Sequence, residues 1–144
     1  MSLYVVDSSV GAKWFFPEPH SDNALELLDD GHELHAPDLF LMEVDSVVCK
    51  RIRSREITAR IGRDIRAALR RIPVRLHSSE SLLEPAFELA VATEQSIYDC
   101  VFLALAVLLR GRMVTADRRF YNALRGGRFA HNVCWVGDVE LGPS

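Results

Sequence analysis

Apolar residues recur along the chain in two alternating rhythms. Short apolar runs at Leu3 to Val6, Leu34 to Ala36, Val74 to Leu76, Met113 to Thr115 and Val133 to Val136 predict strands. Between them, apolar positions return every three or four residues, as a helix needs to bury one face. Ser8 and Ser9 supply helix-start chemistry before Val10 to Phe16, which stops at Pro17. Ser21 is expected to cap a helix carrying Ala24, Leu25, Leu27 and Leu28, ended by Gly31. Pro37 is expected to open a longer helix with Phe40, Val44, Val47 and Val48 on one stripe. Beyond Ser54, Ile57, Ile61, Ile65, Leu69 and Ile72 continue the pattern in a second helix. Together they predict a helical hairpin arm, closed by Pro73. Ser79 to Thr93 reads as a helix that tolerates Pro85 only in its first turns. Tyr98 to Leu109 is apolar nearly all round, which places that helix in the middle of a domain. Gly111 ends it, and Phe120 to Leu124 is a last short helix.

Strands alternating with helices throughout predict an α/β protein: a three-layer α/β/α sandwich with a mainly parallel central sheet. The 144 residues suit a single domain spanning 1–144, and with 49% hydrophobic and 26% charged residues the chain is neither disordered nor low in complexity. There is no internal repeat. No apolar run is long enough for a membrane span, and the first residues lack a basic region followed by an apolar signal core. A cytoplasmic location without membrane contact is the expectation. Cys49, Cys100 and Cys134 are too few and too scattered for a disulfide framework and read as reduced thiols.

Four carboxylates stand where carboxylates are costly. Glu43 lies on the apolar stripe of its helix, one turn after Leu39 and one turn before Val47, so folding turns it toward the interior. Asp99 opens the most apolar helix, and Asp7 and Asp117 directly follow strands. In an open parallel sheet the strand C-termini share one edge, where a crevice forms if strand order reverses. All four acids can meet there. Each also has a plainer reading: Asp7 and Asp117 as helix caps, Asp99 as the partner of Ser96 in a capping box, Glu43 as one half of a buried ion pair. Unit charges 4 Å apart at an effective dielectric near 20 repel by about 4 kcal/mol, so convergence demands protons or a cation. Oxygen ligands without histidine or cysteine select magnesium or manganese over zinc. Such a site does phosphodiester hydrolysis chemistry. A phosphoaspartyl receiver would need paired acids after the first strand and a lysine after a late one; the chain has Asp7 alone, and its only lysines are Lys13 and Lys50. Gly126 and Gly127 follow a helix and form no nucleotide fingerprint.

The net charge of −3 conceals an uneven distribution, for residues 50 to 75 carry Lys50 and nine arginines against Glu56 and Asp64, a local balance of +8. The guanidinium fork suits phosphate oxygens. A solvated helix face or an acidic protein partner would use the same pattern. Arg51, Arg55, Arg118 and Arg119 are the candidate substrate contacts.

The run Val6-Asp7-Ser8-Ser9-Val10, then Ala36-Pro37 leading to Leu41-Met42-Glu43-Val44, then Ser96-Ile97-Tyr98-Asp99-Cys100 through Leu103-Ala104-Leu105-Ala106 to Val114-Thr115-Ala116-Asp117 and Phe120, resembles the PIN-domain nucleases. Among these it is most similar to the VapC-like ribonuclease toxins of toxin-antitoxin pairs. The resemblance covers nearly the whole chain. It implies that Asp7, Glu43, Asp99 and Asp117 are catalytic and hold a divalent metal, Mg2+ or Mn2+, with Ser9 and Thr115 as supporting hydroxyls. It further implies an endoribonuclease acting on single-stranded or loop RNA, a homodimer, and a small antitoxin that obstructs the site, expected beside the arm at residues 38 to 72. A non-toxin PIN nuclease of RNA maturation and a catalytically silent RNA- or protein-binding module are the alternatives.

Overall fold

The computed structural model describes residues 2–142; Met1, Pro143 and Ser144, part of the expected 1–144 span, lie outside the described residues. Five strands form one sheet: β1 (Ser2–Val6), β2 (His32–Pro37), β3 (Val74–His77), β4 (Arg112–Thr115) and β5 (Val133–Trp135). Their order is β3-β2-β1-β4-β5 and every pairing is parallel. The helices are α1 (Ser8–Gly11), α2 (Ser21–Glu26), α3 (Leu39–Arg53), α4 (Ala59–Leu69), α5 (Ser79–Thr93), α6 (Ile97–Leu109) and α7 (Arg118–Leu124). The chain runs from β1 outward to β3, then back across to β4 and β5; the right-handed rule for crossovers between parallel strands then assigns α1–α4 to one face and α5–α7 to the other. The three-layer α/β/α sandwich read from the pattern is the observed fold.

The apolar rhythm maps onto this core. Val5 and Val6 in the central strand β1 and Met113 and Val114 in its neighbour β4 are fully buried, and Cys100 to Ala106 of α6 are buried without interruption. That is why α6 has no polar face over its middle turns. Among the described residues no single helix is long and apolar enough to cross a membrane. The three cysteines are free, Cys49 exposed and the other two buried.

Close approach of α1 to α3 depends on Gly11, where a Cβ would stand 2.7 Å from the Phe40 ring. The arm forms as expected, with α4 folded back along α3 through Gly62, whose missing Cβ admits Ile52 and Val48. This contact rotates α4 relative to the predicted stripe. Gly62 and Leu69 face inward, while Ile61 is 46% exposed.

Two local expectations are corrected. Pro37 does not open α3; it is the last residue of β2, in register with His77, and Asp38 is the N-cap. Its missing N–H costs nothing there, because the strand ends at it. Ser21 does not cap α2: its hydroxyl donates back to the Phe16 carbonyl and accepts from Glu18 N–H, while His20 takes the N-cap position in the left-handed region at φ 67°. Pro85 sits in the second turn of α5, where the missing N–H removes one hydrogen bond from the helix.

Candidate active site

Strand order reverses between β1 and β4, so the sheet opens a crevice at their C-terminal ends. Four helices begin at that edge, and each brings one acid. Asp7 and Asp117 are the N-cap residues of α1 and α7, Asp99 is in the first turn of α6, and Glu43 is in the second turn of α3. The partial positive charge of a helix N-terminus offsets some of the repulsion among them. All four line one open-sided cavity of about 330 Å³, together with Ser8, Ser9, Ser46 and Val47. Two larger clefts of about 410 Å³ flank Arg128 and Phe129 between α5, α6 and α7, but neither gathers carboxylates. Chemistry, not size, marks the site.

Asp7 is the most constrained of the four. Ser9 Oγ donates to its Oδ2 at 2.8 Å and the fully buried Thr115 Oγ1 donates to the same oxygen at 2.9 Å. These hydroxyls are tied in turn to the chain after β4: Ala116 N–H donates to Ser9 Oγ at 3.1 Å and Asp117 N–H to Thr115 Oγ1 at 3.0 Å. The ends of β1 and β4 are thus stitched around one carboxylate. Ser8 Oγ donates to Glu43 Oε1 at 2.7 Å, which joins α3 to the same turn. Glu43 therefore has a hydroxyl partner, not the arginine of an internal ion pair.

The capping readings divide. Asp117 does cap α7, accepting from Phe120 N–H at 3.2 Å. Asp7 makes no side-chain cap bond, and at α6 the cap is Ser96, which accepts from Tyr98 N–H. Among the described residues, Asp99 accepts no hydrogen bond from the protein.

Electrostatics follow from this crowding. Burial pushes the Asp99 carboxyl up to about 7, with Asp7, Asp117 and Glu43 adding repulsion. Burial also raises Asp7, against the pull of Ser9 and Thr115, and raises Glu43, against the pull of Ser8. Among the described residues no Lys or Arg lines the cavity. The pocket is short of positive charge.

Its donor set suits a hard divalent cation: carboxylate and hydroxyl oxygens, with no sulfur or imidazole. Among the described residues no three His, Cys, Asp or Glu side chains are grouped closely enough to clasp one ion. That spacing suits an ion that takes one or two carboxylates and keeps its waters, as magnesium does, better than a dehydrated cage.

The candidate arginines lie outside the cavity lining. Arg51 is bound to Glu18 and, at 2.9 Å, to Glu56, with its guanidinium 4.2 Å over the Phe16 ring. Arg118 stacks 3.8 Å over Trp135. Arg55, at φ 63°, and Arg119 are exposed. Sequence reasoning missed Ser8 and Ser46 as lining residues. Ser8 looked only like a helix starter, and its contact with Glu43 spans 35 positions.

A doubly wound parallel domain with an all-carboxylate crevice at its switch point defines the class of the protein. The chain belongs to the PIN domain family, whose model matches residues 4–125. It is 30% identical over 117 residues to Ribonuclease VapC3 of Pyrobaculum aerophilum, covering 80% of this chain and 89% of that protein. Its fold is also similar to a solved toxin-antitoxin complex from Klebsiella pneumoniae, with a TM-score of 0.60 over 93% of this chain and 96% of that one. At 16% identity this second likeness concerns the fold alone.

Proposed function

We propose that the chain is a divalent-metal-dependent endoribonuclease of the VapC type, the toxin of a toxin-antitoxin pair, and that Asp7, Glu43, Asp99 and Asp117 form its metal and catalytic site. One observation carries the reading: four acids from the first two turns of four helices line a single cavity into which, among the described residues, no basic side chain reaches. Membership of the PIN family, in which a divalent ion is typical, and the likeness to a VapC ribonuclease support it. Mg2+ is the expected ion, with Mn2+ as its substitute.

Asp7, Glu43, Asp99 and Asp117 would hold the divalent ion, which when bound would supply polarisation of a phosphoryl oxygen and a more acidic water. The chain's own residues do the rest. Ser9 and Thr115 hold Asp7 through Oδ2, and the Ser8 backbone N–H adds a third hydrogen bond to the same carboxylate. Asp99 supplies a carboxylate unencumbered by protein hydrogen bonds. Asp117 reaches the site from β4 while one of its oxygens caps α7. Glu43 is held by Ser8 at Oε1, so Oε2 is left to orient the attacking water or accept its proton. Ser8 and Ser9 spend their hydroxyl protons on Glu43 and Asp7, so the walls of the cavity, Ser46 among them, are what position an RNA phosphodiester against these groups.

A small antitoxin seated beside the α3–α4 arm, a homodimer and a cytoplasmic location complete the proposal. The test is cleavage of single-stranded RNA by purified protein with Mg2+, with chelator, and with Asp7→Asn. Cleavage that stops with chelator and with the variant supports the reading; cleavage that survives either one contradicts it.

A further inference from the structure

The acidic cavity does not end at Val47. That residue also lines a second cavity of about 330 Å³, whose other walls are Lys50, Arg51, Ser54 and Glu56. Glu43, Val47, Lys50 and Ser54 follow one another at helical spacing, so they share a face of α3. At a rise of 1.5 Å per residue, Lys50 stands about 10 Å along the helix axis from Glu43. An extended strand with one phosphate at the acids carries a neighbouring phosphate past Lys50.

The two cations of this second cavity are not equivalent. Arg51 is held between Glu18 and Glu56 and lies on Phe16, so internal carboxylates already neutralise it. Ser54 Oγ, at 3.2 Å from both the Arg51 carbonyl and Glu56, braces the same wall. Lys50 is exposed and, among the described residues, forms no ion pair. Its charge is left for a ligand.

We propose that the cavity beside Lys50 is a subsite for a phosphate flanking the scissile one in single-stranded RNA, with the Lys50 ammonium as its cation. This rests on the nuclease reading above. The physical need is plain: four carboxylates repel the phosphates on either side of the cut, and an ion inside the acidic cavity neutralises only the phosphate it touches. A flanking phosphate needs a cation that no internal acid has consumed. Arg51 builds the wall, and Lys50 makes the contact.

The test has two arms. The first measures binding of a fluorescent single-stranded oligoribonucleotide across a salt series in chelator, where no cleavage occurs. Removal of one phosphate contact flattens the slope of log K against log salt by about 0.7 for a single strand. Lys50→Gln should show that loss, and Arg110→Gln, an exposed cation at the far end of α6 from Asp99, should not. In the second arm, with Mg2+, Lys50→Gln should raise KM several-fold for a long strand. It should leave cleavage of a dinucleotide, which has the scissile phosphate alone, unchanged. An unchanged salt slope overturns the proposal, as does equal loss on the dinucleotide, or Lys50-dependent binding of an acidic peptide that outcompetes the RNA. A wild-type protein that cuts neither RNA refutes the nuclease reading instead, a result separate from the salt slopes.

Discussion

Replacing Asp99 by asparagine should make the metal-free protein more stable while destroying its function. Asp99 moves from an ordinary value of 3.8 to about 7 because burial and three neighbouring acids oppose its charge. At about 1.4 kcal/mol per tenfold change in proton affinity, that difference sets a ceiling of about 4 kcal/mol. Solvent screening at a partly exposed group brings the expected gain to about 1–3 kcal/mol. The sign is fixed by linkage. The folded state holds the Asp99 proton more tightly than the unfolded state, so wild-type stability falls as pH rises from about 4 to about 7 and the full cost is present above that. The neutral amide never carries the cost. In chelator at pH 8, thermal unfolding of Asp99→Asn should therefore occur about 3–10 °C above wild type. The gap should close toward pH 4, and Mg2+ should close it at pH 8 by stabilising only the wild type. Equal Tm values at pH 8, or a gap indifferent to pH, would refute the claim that burial and the neighbouring acids oppose the Asp99 charge in this cavity.

Three further substitutions probe the support of the site. Thr115→Val removes the buried donor to Asp7 and the acceptor of Asp117 N–H, and should cost about 1–3 kcal/mol in denaturant unfolding, with Thr115→Ser restoring most of it. Gly11→Ala drives a methyl into the fully buried Phe40 ring; a loss of about 1–3 kcal/mol is expected, with weaker metal binding as α1 and α3 are pushed apart. Glu43→Gln keeps the Ser8 contact but cannot take a proton, so kcat should fall by about 10²–10⁴ while RNA binding in chelator is retained.

Much of this fold was legible because its cues are local. The apolar runs located all five strands, and α5 begins and ends where Ser79 and Thr93 were expected. The continuous apolar run after Asp99 identified the central helix. The carboxylates were visible as misfits, for an acid on an apolar stripe or directly after a buried strand violates the pattern around it. The supporting contacts were not visible, because they join residues distant in the chain: Thr115 to Asp7 across 108 positions, Arg51 to Glu18 across 33. The proline at 37 misled for a related reason. Pro is common at a helix start and equally acceptable at the end of a strand, and only its register with His77 decides between them.

A shared hydrated divalent ion is what these four acids need in order to coexist in one cavity. Titration of the metal-free protein with Mn2+, followed by electron paramagnetic resonance and by proton release, tests it without recourse to RNA. Saturable binding by the wild type is expected, with proton release that grows as pH falls below about 7, and loss of both in Asp7→Asn and Asp99→Asn. No binding by the wild type, or equal binding by the variants, would contradict it.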